Sequence, residues 1–166
     1  MVTVFRIVLI SLLLITSAHA GESAGLLAGA VTYFVKLNVH DGKDCVIDRA
    51  AVTKRAAHEM AGVAKLRAVA EEAIPDIHIT LTVEATPIPP KSEKAEACMY
   101  FINLRAIHPM YGQLRYSSAP RLVQALTFNK TVHSVIVPEK LFEAIDLQTS
   151  IVFGIFLDEY RMGNSR

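Results

Sequence analysis

The 166-residue sequence predicts an α+β fold, a mostly antiparallel sheet of four to five strands with two main helices packed on one face. Three observations carry that prediction. Residues 31–39, 77–83 and 98–107 alternate with the two-residue period of strands. Residues 49–61 and 141–160 place apolar side chains at helical spacing. The order is strand, helix, strands, helix, and such segregation favours strands that pair with one another while the helices cover one side.

The first strand sets Val31, Tyr33, Val35, Leu37 and Val39 against Thr32, Lys36 and Asn38, and stops at Asp41-Gly42. Asp48 then stands where an N-cap accepts orphan amide hydrogens, ahead of an Ala-rich stretch with Val52, Ala56 and Met60 one turn apart. Helix-forming composition runs on to Glu72, so propensity allows one long helix, while Gly62 is a C′ residue that would stop it sooner. The residues leave both readings open. Pro75 ends whatever precedes it, and Ile77, Ile79, Leu81 and Val83 then alternate with His78, Thr80, Thr82 and Glu84 in a half-buried strand with one wet face.

Residues 86–94 hold Pro87, Pro89 and Pro90 among charges of both signs and read as an exposed loop. Residues 98–107 carry Tyr100, Ile102, Leu104 and Ala106 on one side and Met99 and Phe101 on the other, which predicts a central strand. His108-Pro109 and Gly112 mark a turn or irregular excursion, and residues 122–135 offer one longer strand or two shorter ones. Pro138 suits a first helical turn, and Leu141, Ile145, Val152, Phe156 and Tyr160 continue a last helix that ends before Gly163.

The first twenty residues join Arg6, an apolar run over residues 7–15 and the triplet Ala18-His19-Ala20 ahead of Gly21, the parts of a cleavable export signal. The expectation is a signal peptide over residues 1–20 and a single domain over residues 21–166, periplasmic or secreted after cleavage. Spanning hydrocarbon takes about twenty apolar residues, and this run falls well short. Gly21 offers no cysteine for lipid attachment, so no transmembrane or lipid anchor is expected in the mature chain. Loss of Arg6 leaves sixteen basic and sixteen acidic residues. A chain without a basic excess is not expected to hold nucleic acid. Cys45 and Cys98 form an even pair in an oxidising compartment, too far apart in sequence for a C-x-x-C redox or metal motif, so a Cys45 to Cys98 disulfide is expected.

Cys45 followed by a helix, Ala61-Gly62-Val63-Ala64-Lys65-Leu66, the alternating strand over 77–83, and Ala97-Cys98-Met99-Tyr100-Phe101 together resemble a group of small, exported, mostly uncharacterised proteobacterial periplasmic proteins. The closing Ile155-Phe156-Leu157-Asp158-Glu159-Tyr160 resembles their final helix. The resemblance covers roughly residues 31–161 and implies that Gly62 closes a shorter helix and that residues 63–66 form a brief strand. The order then becomes strand, helix, short strand, three strands, helix, with both cysteines paired. That group is similar in architecture to the N-terminal domain of the TolB periplasmic protein and to outer-membrane assembly lipoproteins, which bind other envelope components. This chain departs from the lipoproteins in lacking their lipidated cysteine.

No catalytic or metal-binding constellation is assigned, and no cofactor is expected. His40-Asp41 reads as a strand end. His58-Glu59 lacks the second histidine of a zinc-protease helix, since Ala61 and Gly62 occupy the positions that would carry a ligand. His78 falls on a wet strand face, while His108 and His133 lie in a turn and a strand-like stretch. No G-x-S-x-G frames Ser117, Ser118, Ser134 or Ser150, and the glycines form no phosphate loop. The loop over residues 86–97 reads first as a solvated connection. Residues 108–116 bring Met110, Tyr111, Arg115 and Tyr116 together, a composition enriched at interfaces. Tyr111, Arg115 and Tyr116 are therefore the candidate partner surface. The favoured reading is an exported, non-enzymatic domain that binds an envelope or secreted protein through a strand edge or that segment. The alternative is a small extracytoplasmic hydrolase or metal-dependent enzyme whose groups are His40, Asp41, His78 and His108, which would have to converge on one pocket.

Overall fold

A computed structural model describes residues 24–88, 95–112, 119 and 121–165. In chain order the elements are β1 (Thr32–Asp41), α1 (Arg49–Ala61), β2 (Arg67–Ala68), β3 (Ile77–Ile88), β4 (Ala97–Gly112), β5 (Arg121–Ile136) and α2 (Leu141–Gly163). Single 3-10 turns at Ala24–Leu27, Glu71–Ala73 and Pro138–Lys140 intervene, and the short strand falls at Arg67–Ala68 rather than at residues 63–66.

The five strands form one sheet in the order β2-β1-β3-β4-β5. The sheet is mixed, so the mostly antiparallel expectation holds for two of its four pairings and not for the other two. β1 runs parallel to both β2 and β3, while β3/β4 and β4/β5 are antiparallel. The cause is α1. Parallel neighbours need a long crossover, and the helix after β1 returns the chain to the end where β1 began, so β3 enters in the same direction.

Alternation places one face of β1, β3, β4 and β5 in the core. Leu37, Leu81 and Leu104 lie in one row across three strands, and Val39, Val83 and Ile102 lie in the next. The β3 and β4 members of both rows are fully buried. Helix α2 covers them with Val152, Phe153 and Phe156, each also fully buried. The Phe156 ring meets Phe128 of β5 edge-on at 5.4 Å between centroids. Each such side chain contributes about 1.5–3 kcal/mol by leaving water.

Asp48 caps α1, its carboxylate accepting from the Ala51 amide at 3.0 Å. Val52, Ala56 and Met60 are the buried face of α1. The helix stops at Gly62, whose amide donates to the Glu59 carbonyl at 3.3 Å. The next turn tucks Val63 and Leu66 into the core. Burying those two residues needs a change of direction that a continuous helix would forbid, and this resolves the one-helix alternative.

Cys45 and Cys98 are disulfide-bonded, with Cα atoms 5.8 Å apart and both side chains fully buried. The bridge ties the turn before α1 to the start of β4. Gly42 lies in the same turn, and a Cβ there would sit 2.6 Å from Cδ of Pro87. That contact is why a glycine follows Asp41.

Two predicted loops are partly strand. Thr86, Pro87 and Ile88 pair with Met99, Cys98 and Ala97, so β3 continues into the segment read as a loop. β4 does not turn at His108-Pro109 but runs on to Gly112. Proline is tolerated at both places because one neighbouring strand has already ended. β1 pairs with β3 only as far as Ala85, and β3 pairs with β4 only as far as Ile107. β5 is one strand rather than two, with a bulge opposite Ala106/Ile107 that leaves Thr127 as the extra residue.

Candidate functional site

The proposed histidine and aspartate groups do not converge. His40 and Asp41 lie at the C-terminal end of β1, opposite Glu84 and Ala85. The Asp41 carboxylate accepts from the Ile47 amide at 3.1 Å and shapes the turn into α1. His78 stands at the start of β3 on the face opposite its buried residues, edge-on to Phe34 at 6.3 Å between ring centroids. Phe34 pairs with His78 and His40 with Glu84, so the two histidines are separated by roughly 20 Å of strand at about 3.3 Å per residue. His108 leans on the β3 entry, where its Nδ1 lies 2.5 Å from the Asp76 carbonyl oxygen. His133 is exposed on β5 opposite Phe101. Among the described residues, no group of three or more His, Cys, Asp or Glu could hold a metal ion.

The sequence reading missed a polar knot around Asp76. Its carboxylate accepts from the amides of Val31 and Thr32, each at 2.9 Å, and from the Thr32 hydroxyl at 2.8 Å. The Asp76 amide donates back to that hydroxyl at 2.9 Å. Burial works against the carboxylate's charge, but these donors and the nearby His108 outweigh it and hold its pKa below the ordinary carboxylate range. The knot joins the parallel strands β1 and β3 at their common beginning. Beside it, Tyr160 of α2 donates to the Ala30 carbonyl at 2.7 Å, and the Asn164 amide group bonds the Leu27 carbonyl at 3.0 Å. Burial, and then the Asp76 charge, raise the Tyr160 phenol's pKa. The signal in the sequence was an acidic residue immediately before a strand. Its partners are unreadable without knowing that β1 and β3 are parallel.

A shallow groove of about 460 Å³ opens between the ends of the helices, lined by His58, Glu59, Gly62, Gly154, Leu157 and Arg161. Its carboxylate is already engaged. Glu59 accepts from the Ser150 hydroxyl at 2.8 Å and pairs with Arg55 at 3.5 Å. Arg55 in turn bonds Asp146 with both its Nε and a terminal nitrogen. That hydrogen bond raises the Arg55 pKa and lowers that of Asp146. The chain of charges fastens α1 to α2.

The remaining candidate is a ribbon. β4 runs beyond its last β3 partner at Ile107 and continues to pair with β5 through Tyr111↔Leu122 and Gly112↔Arg121. This two-stranded extension carries Leu122, 60% exposed, and Leu126, 49% exposed, stands at its root opposite Ile107. The register thus sets Tyr111 opposite an exposed leucine at the end of the ribbon. Arg115 and Tyr116, the other two members of the expected partner surface, lie outside the described residues.

No family model matches the chain, and no curated protein matches it. Among solved structures, a PelC variant dodecamer from Paraburkholderia phytofirmans is similar at a TM-score of 0.42 and 11% identity, over 77% of this chain and 88% of that one. Similarity at that level fixes neither family nor function.

Proposed function

We propose that this chain is an exported, non-enzymatic binding domain of the cell envelope, which engages a protein partner through the ribbon formed by the ends of β4 and β5. The observation that carries the reading is the projection of that ribbon past β3, with Leu122 left in water on it and Leu126 exposed at its root. A two-stranded ribbon is marginal by itself. Exposed leucines there add nothing to the core, and an apolar patch on a protruding element is a feature of interaction surfaces. Export is supported by the leader pattern in residues 1–20 and by the buried Cys45–Cys98 bridge, a bond that persists in oxidising compartments. Among the described residues, no helix is long and apolar enough to cross a membrane.

The experiment is affinity recovery from the native envelope fraction with the wild-type protein and with Leu122→Asp/Leu126→Asp. Both side chains are exposed, so the variant's melting temperature should match the wild type. Loss of a specifically recovered partner at unchanged stability is the expected result. Equal recovery by both proteins would remove the ribbon from the account.

A further inference from the structure

β5 closes the sheet, and among the described residues no strand lies beyond it. Natural edges of this kind are blunted by short length, lysines, prolines or bulges. β5 has sixteen residues, and its protection, the bulge at Thr127 and the cation Lys130, lies before residue 131. Residues 131–136, Thr-Val-His-Ser-Val-Ile, carry no Lys, Arg, Asp, Glu or Pro and are rich in β-branched side chains. Such a segment is a template for another strand.

We infer that residues 132–136 of β5 pair antiparallel with the same residues of a second copy about a twofold axis at Ser134, joining two sheets into one. A continuous antiparallel sheet requires partners on the same face, so a symmetric pairing must centre on a residue. Centring on Ser134 sets Val132 opposite Ile136 of the second copy on the helix side. Both are half-buried apolar residues at the rim of the core, so the pairing carries the core across the edge. On the other face it sets His133 opposite Val135, whose side chain is 51% exposed. Lys130 falls opposite Pro138, beyond the paired segment, so no like charges oppose one another. Direct apposition of like charges is what would forbid self-pairing. This surface is separate from the ribbon and does not depend on its having a partner.

The register makes a charge-swap test available at two exposed positions. Sedimentation of the purified wild-type protein at roughly 100 μM should show a dimer. His133→Lys/Val135→Lys sets lysine against lysine twice and should weaken association at least about tenfold, a loss on the scale of two opposed like-charge pairs. His133→Glu/Val135→Lys sets glutamate against lysine twice and should restore the dimer. Circular dichroism confirms that all three proteins fold. A wild-type monomer, whether its edge is bare or covered by a different polypeptide, overturns the proposal. So does a dimer that survives the double-lysine change, or one that the glutamate-lysine pair fails to restore.

Discussion

Replacing both cysteines with alanine should lower the melting temperature by about 13 °C. The bridge joins residues 53 apart in sequence. In the chain-entropy model a loop of that length removes about 4 kcal/mol of unfolded-state freedom. Unfolding entropy of about 2.1 cal/mol/K per residue, over roughly 145 folded residues, converts that loss into about 3 °C per kcal/mol. Thermal melts by circular dichroism on the wild type, on Cys45→Ala/Cys98→Ala and on the wild type with reductant separate tether from packing. The reduced wild type keeps both sulfur atoms in a fully buried site, so its loss reports the tether. The alanine pair adds a small packing loss. A drop of under about 4 °C in the reduced protein would refute the reasoning, since a tether of this span acting on the unfolded chain must cost more.

Asp76→Asn should destabilise the protein by about 2 kcal/mol at neutral pH, because it removes a carboxylate that accepts charge-assisted bonds. The folded-state pKa of Asp76 is depressed. Its contribution is therefore present above the unfolded value near about 4 and lost as pH falls through the lower folded value. Urea melts across pH should show the wild type and variant converging only in acid; a gap that stays constant with pH would contradict this. Thr149→Val should stabilise the protein by about 1 kcal/mol in the same assay, since the fully buried Thr149 hydroxyl has no hydrogen-bond partner among the described residues and valine fills its volume. Gly42→Ala should cost about 1–3 kcal/mol, read from denaturant midpoints, because the added Cβ meets the Pro87 ring at 2.6 Å and a proline ring has no free torsion with which to move aside.

The parts of the fold legible in the sequence are those fixed by local physics. Alternation marked Ile77, Ile79, Leu81 and Val83 as one face, and all four are fully buried. Asp48 was readable as a cap because its role needs only the amide three residues on. The disulfide followed from cysteine count and compartment. What could not be read depends on neighbours. The period of β1 and β3 says which side faces in but not which strand lies alongside, so their parallel pairing and the Asp76 knot at their common start were invisible. Pro109 reads as part of a turn or irregular excursion because its place on a locally free edge is a property of where β3 begins, at Ile77, and not of β4. The bulge at Thr127 likewise exists only relative to β4. The Tyr111 segment was singled out by composition, yet what raises it above a turn is the ribbon register that pairs it with Leu122.

Intact-mass spectrometry of the protein purified from the cells that make it, alkylated without reduction, tests export and covalent closure together. The account predicts a chain beginning at Gly21, lighter by two hydrogens than its reduced sequence and carrying no alkyl group. A chain that retains Met1 through Ala20 with both Cys45 and Cys98 alkylated would contradict it.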